Sequence, residues 1–238
     1  MIVQPYRYFQ ELIDLLFPLF CYRCGAEGHS WCWPREEADR WPLCYFCHRN
    51  YHPEIRQPNC EISLPLLWLG PYADRPLRMA IADWKYRGYW QISASWAERL
   101  AGQLANSFPQ LRPLAAIPLH PRRRLSRGYN QVEILVDQIN QRLGWPKSTI
   151  LIRQRPTADQ TKLATGRRIT NLKDAFTLNQ EAKLPESVWL VDDVITTGAT
   201  IEAARQTLIN HKIQVAGVMV VAVARTAPLD ESSSSQVE

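Results

Sequence analysis

The chain has 238 residues, of which 46% are hydrophobic, so it is long enough for one α/β domain with a packed core and a smaller module. Its net charge of +5 favours a phosphate-rich partner, either a small ligand or a nucleic acid. No apolar run approaches the ~20 residues of a membrane helix, and the N-terminus lacks the pattern of a signal peptide. We therefore expect a cytoplasmic protein without membrane insertion.

A short helix is predicted from Tyr6 to Leu19, followed by a region that holds all six cysteines. Four of them form two Cys-x-x-Cys pairs separated by 19 residues, the spacing of a zinc ribbon: Cys21, Cys24, Cys44 and Cys47. Thiolate sulfur binds zinc tetrahedrally, and four such ligands leave no open position for water. The spacing therefore predicts a structural Zn2+ within an N-terminal module of residues 1–60.

Other interpretations of this module stay open. Disulfides are less favoured than zinc in a cytosolic protein. Cys32 and Cys60 have no Cys-x-x-Cys partner and are expected to be small buried residues. The nearby histidines and tryptophans are expected to be solvated or packed; the alternatives are a site with three cysteines and one histidine, and a stacking surface for bases.

A proline-rich linker is predicted from about Pro53 to Pro76, with a strand-like segment at Leu66–Leu69. A helix is expected to follow from Met79 to Gly88, because glycine is a common helix stop. Lys85 and Arg87, close to its end, either reach a functional site or are solvated.

A second amphipathic helix is predicted from Ile92 to Phe108, where apolar residues recur every four positions. A strand over Leu114–Leu119 comes next, and a loop directly after it carries four arginines and a glycine: Arg122, Arg123, Arg124, Arg127 and Gly128. Ligands gather at the carboxyl ends of parallel strands, and arginine suits phosphate oxygens, so this loop is predicted to bind an anion. The alternative is a solvated basic loop. A further helix is expected over Val132–Leu143.

A short strand over Thr149–Ile152 leads into a long polar segment that continues to Phe176. Such a segment between strands is more often a functional loop than filler. Its cations include Arg155, Lys162 and Arg167, so we expect a lid that closes over an anionic ligand.

The stretch Val188–Ile201 carries the strongest pattern. An apolar run predicts a buried parallel strand, two acids follow, and a small-residue loop then leads into a helix from about Thr200. The loop is predicted to hold a phosphate by its backbone N–H groups and hydroxyls: Thr196, Thr197, Gly198, Ala199 and Thr200. Asp192 and Asp193 can accept hydrogen bonds from sugar hydroxyls or help to hold a cation. A final strand is predicted over Ile213–Ala224, before a disordered tail of residues 228–238.

The stretch Val188–Ile201 resembles the phosphoribosyl-pyrophosphate (PRPP) signature of type I phosphoribosyltransferases. Together with other motifs in order, it makes the chain similar to the ComF family of competence-associated proteins with an N-terminal zinc ribbon. The further motifs are Leu16-Phe-Pro18, Lys85-Tyr-Arg-Gly88, Pro118-Leu119, Arg127-Gly-Tyr-Asn-Gln131, and Arg155 through Thr157, Gln160, Leu163, Arg168, Asn171 and Ala175-Phe176.

The resemblance implies a type I phosphoribosyltransferase-like parallel sheet flanked by helices over residues 61–227. It implies that Asp192 and Asp193 contact the ribose of PRPP, that residues 196–200 hold the 5′-phosphate, and that residues 122–130 and 155–171 form the diphosphate loop and the lid. Mg2+ would arrive with the PRPP.

Two functions from different classes stay open. One is a phosphoribosyltransferase that transfers phosphoribosyl to an unknown acceptor and releases diphosphate. The other is a non-catalytic protein that binds single-stranded DNA or a nucleotide and acts with a competence helicase. The acid pair favours the enzyme, since two carboxylates would repel DNA.

Overall fold

The computed structural model describes residues 63–154 and 175–224. Several predicted features lie outside these residues: the N-terminal helix, the tail, the zinc ligands Cys21, Cys24, Cys44 and Cys47, and the lid cations Arg155, Lys162 and Arg167. The predicted module boundaries at residues 60 and 227 also fall there and stay predictions. No helix of the described part is long and apolar enough to cross a membrane.

The strands of the described part are β1 Leu66–Pro71, β2 Leu114–Ala116, β3 Lys147–Ser148, β4 Leu151–Arg153, β5 Phe176–Leu178, β6 Ser187–Ile195 and β7 Gln214–Val223. A five-stranded sheet runs in the order β1-β7-β6-β2-β3, and every neighbouring pair is parallel. β4 and β5 form a separate antiparallel pair. β6 is therefore the central strand, and its carboxyl end lies at the edge where β1 and β2 also end.

The helices are α1 Arg75–Tyr86, α2 Ser93–Ser107, α3 Pro121–Arg127, α4 Gln131–Leu143 and α5 Ala199–Asn210, with a 3-10 turn at Trp90–Ile92. Side chains alternate between the faces of β6. Trp189 and Val191 pack with apolar residues of α1, α2 and α4, whereas Val188 and Leu190 pack with those of α5, β4 and β5. The parallel sheet is thus buried on both faces, as its apolar sequence predicts.

The packing on the first face requires a glycine in β7. Gly217 pairs in register with Trp189, and the indole ring of Trp189 fills the space that a side chain at position 217 would need. A Cβ atom there would lie 2.8 Å from Cε3 of the ring and closer still to Cζ3 and Cη2. Trp189 also meets the Phe108 ring edge-on at 4.9 Å between centroids, so the ring has little room to move.

The predicted fold class, a type I phosphoribosyltransferase-like parallel sheet flanked by helices, is confirmed. Some boundaries were wrong. The first helix begins at Arg75 rather than Met79, because the Asp74 side chain caps it by accepting from the Leu77 N–H and Pro76 suits a first turn. Pro76 therefore belongs to a helix and not to a linker. The strand predicted at Thr149–Ile152 overlaps only β4, whereas β3 ends just before it and belongs to the other sheet.

The loop predicted after β2 contains a helix. β2 ends at Ala116, and the segment predicted as a loop from Arg122 to Asn130 holds α3. His120 caps α3 by accepting from the Arg122 N–H, Pro121 occupies the first turn, and Gly128 ends the helix at a φ of 84°. These are ordinary start and stop signals, and all four arginines lie on the short helix that they enclose.

Candidate anion and sugar site

Asp193 lies on the face of β6 that α1 and α4 cover. Its Oδ2 atom is 2.8 Å from the Lys85 ammonium at the end of α1. The same oxygen accepts a hydrogen bond of 2.7 Å from the buried amide of Gln131, the first residue of α4. A carboxylate has a second oxygen, so Oδ1 of Asp193 can also accept hydrogen bonds.

Asp192 lies on the opposite face of β6, because neighbouring residues of a strand point to opposite sides. Its Oδ1 atom accepts from the backbone N–H of Asp193 at 2.8 Å. Burial, and then the negative charge of Asp193, raise the pKa of Asp192 to about 7. Lys85 and Arg153 oppose this shift without cancelling it. The two acids therefore differ in chemistry although they are neighbours.

Arg153, the last residue of β4, is the buried cation of the Asp192 face. Its side chain is 8% exposed, and its guanidinium lies 5.4 Å from the centroid of the Phe176 ring in β5. Burial lowers the pKa of Arg153, and the charge of Asp192 opposes that effect. The planar guanidinium of Arg153 suits the oxygens of an anionic ligand.

The small-residue loop between β6 and α5 leads into the N-terminus of a helix, an arrangement that suits an anion. Gly198 adopts a φ of 79°, which favours glycine, and caps α5. The Thr197 hydroxyl oxygen accepts from the Ala199 N–H at 3.4 Å. The N-terminus of this 12-residue helix directs N–H groups of its first turn and a partial positive charge toward the carboxyl edge of the sheet.

The arginines of α3 fall into two groups. Arg123 and Arg127 line the cavity beside the acid pair. Arg127 donates to Oε1 of Gln131 at 2.6 Å and lies over the Tyr86 ring at 5.2 Å. Arg124 instead pairs with Glu133 at 3.2 Å, and Arg122 is exposed to solvent. Arg122, Arg124 and Gly128 thus lie beyond the cavity wall.

A cavity of about 460 Å³ joins these groups. Its charged lining consists of Asp192, Asp193 and four cations: Lys85, Arg123, Arg127 and Arg153. Thr196, Gly198, Ala199 and Thr200 close one end, and Tyr72 and Tyr86 lie in the wall. The excess of cations suits a ligand with several negative charges, and the acids suit hydroxyl donors.

The structure thus brings together the acid pair, the small-residue loop and two of the four arginines predicted after β2, Arg123 and Arg127. The sequence left Lys85 undecided and did not single out Arg153 or Gln131 as site residues. Gln131 could have been found from its place directly after the arginine cluster, at the start of a helix. Arg153 could not, since its position depends on how β4 packs against the main sheet.

The topology and the acid pair at the end of the central strand define an α/β protein with a type I phosphoribosyltransferase-like fold. One similar solved structure is adenine phosphoribosyltransferase from Leishmania donovani, with 16% sequence identity and a TM-score of 0.37. Another is orotate phosphoribosyltransferase from Aeropyrum pernix, with 16% sequence identity and a TM-score of 0.34. The matches cover 56% and 61% of this chain, and 53% and 63% of those chains.

The sequence relatives are closer. The chain is 33% identical to competence protein F of Haemophilus influenzae over 88% of this chain and 98% of that one. It is 35% identical to DNA utilization protein YhgH of Escherichia coli K12, over 89% and 99%. The chain therefore belongs to the family of competence protein F and YhgH, which confirms the resemblance to ComF proteins. No protein-family model matches the chain.

Proposed function

We propose that the protein binds PRPP with Mg2+ and transfers its phosphoribosyl group to an acceptor, with release of diphosphate. The observation that carries this proposal is the joint position of the acid pair and the threonine loop in one cavity with four cations. PRPP has a 5′-phosphate, a ribose with two neighbouring hydroxyls and a diphosphate, and each part has matching groups there.

Each part of PRPP has groups of complementary charge or hydrogen-bonding capacity in the cavity. The 5′-phosphate would be held by the N–H groups at the start of α5 and by the hydroxyls of residues 196–200. The ribose hydroxyls would donate to Asp192 and to Oδ1 of Asp193. The diphosphate would meet Arg123 and Arg127, together with the lid cations Arg155, Lys162 and Arg167 that lie outside the described residues.

The carboxylates also fit a divalent cation, although two acids supply few of the oxygens that Mg2+ needs. Among the described residues, no cluster of three or more acidic, histidine or cysteine side chains could hold a metal. Bound Mg2+ would neutralise diphosphate charge, with ligand oxygens and water completing its shell. The chain's own task is to position the ribose and to exclude water.

Calorimetric titration of Mg-PRPP tests this function. The wild-type protein should bind, and Asp192→Asn/Asp193→Asn should abolish binding, because neutral amides replace both hydroxyl acceptors. Binding by the wild type would justify a screen of bases and amines for diphosphate release. A folded wild type that does not bind Mg-PRPP would contradict the proposal.

A second candidate is a single-stranded DNA or nucleotide-binding protein that acts with a competence helicase. The names of the relatives, competence protein and DNA utilization protein, support a role in DNA uptake for either candidate. The observation that favours the second is α3, which buries none of its residues and presents Arg122, Arg123 and Arg124 to solvent.

DNA binding through α3 would depend strongly on salt, because each neutralised phosphate releases counterions. Replacing Arg122, Arg123 and Arg124 with alanine should weaken binding and flatten the salt dependence. DNA affinity that ignores both salt and these substitutions would exclude this surface.

We also propose a structural zinc ion bound by Cys21, Cys24, Cys44 and Cys47, because of their spacing in the sequence. Elemental analysis of the purified protein should find about one zinc per chain. A folded protein without metal would refute the assignment.

A further inference from the structure

Lys85 forms an ion pair with Asp193, and α1 holds it there. The preceding residue, Trp84, is fully buried, and its carbonyl accepts a hydrogen bond of 2.8 Å from the Tyr129 hydroxyl. Trp84 also meets Trp96 of α2 edge-on at 5.0 Å between centroids. These contacts fix the last turn of α1, so Lys85 reaches the cavity from a rigid base.

The ammonium of Lys85 currently neutralises Asp193. Its side chain is 19% exposed and that of Asp193 is 16% exposed, so water screens the pair only partly. Gln131 donates to the same carboxylate oxygen from the other side. Asp193 would therefore keep one hydrogen-bond partner at Oδ2 if Lys85 moved away.

In PRPP the diphosphate is bonded to C1 and a hydroxyl to the adjacent C2. With Asp193 accepting from the C2 hydroxyl, the cation that touches Asp193 lies next to the diphosphate. Diphosphate carries more negative charge than a single carboxylate, and the lysine stem is flexible enough to turn toward it. We infer that Lys85 binds the diphosphate of PRPP, an inference that rests on the proposed function.

The chain offers a matched control two residues along. Arg87 is 71% exposed, pairs with Asp83 at 3.3 Å, and does not line the cavity. Lys85→Gln and Arg87→Gln each remove one positive charge from the same helix end. Only Lys85→Gln removes a cation that faces the acid pair.

Calorimetry with Mg-PRPP, ribose 5-phosphate and inorganic diphosphate with Mg2+ tests the inference. Lys85→Gln should lower the affinity for PRPP and for diphosphate by about 10- to 100-fold, the usual effect of losing a charge-assisted hydrogen bond. Its affinity for ribose 5-phosphate should stay within about twofold of wild type, since that ligand has no diphosphate. Arg87→Gln should leave all three unchanged, and Lys85→Arg should retain most of the affinity.

Unchanged PRPP affinity in a folded Lys85→Gln variant would overturn the inference and leave the proposed function intact. Equal losses for PRPP and ribose 5-phosphate would also overturn it, because Lys85 would then act only through Asp193. A folded wild type that does not bind Mg-PRPP would overturn the proposed function itself, and the inference with it.

Discussion

Asp192 and Asp193 are identical neighbours, yet the two faces of β6 place them in different surroundings. Asp193 has an ammonium at 2.8 Å and an amide at 2.7 Å, so its negative charge has close partners. Asp192 is half-buried beside Asp193, and desolvation and that neighbouring charge raise its pKa to about 7. The comparison teaches that an acid pair in a sequence motif need not supply two equivalent carboxylates, because strand alternation separates them.

The packing of the Asp193 face can be broken at Gly217, and this should be the largest effect. Gly217→Ala should lower the free energy of unfolding by about 3 kcal/mol or more, since the new methyl group would overlap the Trp189 ring. Urea denaturation measures the change. Gly102→Ala is the control, because no atom lies within 4 Å of a Cβ there and the residue is in α2, so it should stabilise by about 0.5–1 kcal/mol.

The electrostatic difference between the acids can be tested by the same substitution at each. At pH 8, Asp192→Asn should raise the free energy of unfolding by about 1–3 kcal/mol, because it removes a partly desolvated charge and its repulsion by Asp193. Asp193→Asn should not raise it, since relief of that repulsion comes with loss of the ion pair to Lys85. Equal gains in both variants would contradict the comparison.

The pH dependence of the free energy of unfolding tests the raised pKa of Asp192 directly. The pKa of Asp192 is about 7 in the folded protein and near 3.8 when unperturbed, so the folded state binds a proton more tightly than the unfolded state. The resulting stability is fully present below about pH 3.8 and is lost as the pH rises through about 7. The free energy of unfolding of the wild type, minus that of the Asp192→Asn variant, should fall in this way when it is measured from pH 4 to 8. A flat difference would refute the raised pKa.

The smallest effect should come from α3. Arg127 donates to Gln131, which in turn donates to Asp193, so Arg127 belongs to the Asp193 side of the site. Under the proposed function, Arg127→Gln should weaken Mg-PRPP binding by about tenfold. Arg124→Gln should change it by less than about twofold, because Arg124 pairs with Glu133 at an exposed position. Comparable losses in the two variants would mean that Arg124 reaches the ligand after all.

The sequence determined the elements whose signals are local. The apolar run before Asp192, the glycine and threonines after Asp193, and the helix beginning near Thr200 specify strand, loop and helix by themselves. The order of motifs identified the family. The same local logic could have revealed α3, since His120, Pro121 and Gly128 are ordinary helix signals.

Only the tertiary structure decided which groups meet. Lys85, Gln131 and Arg153 come from α1, α4 and β4, and no local pattern states which face of β6 each will approach. That choice follows from the packing of the helices and of β4 and β5 on opposite faces of the sheet. Local residue types thus determined the small-residue loop and the acid pair, whereas long-range packing determined the partners of each acid.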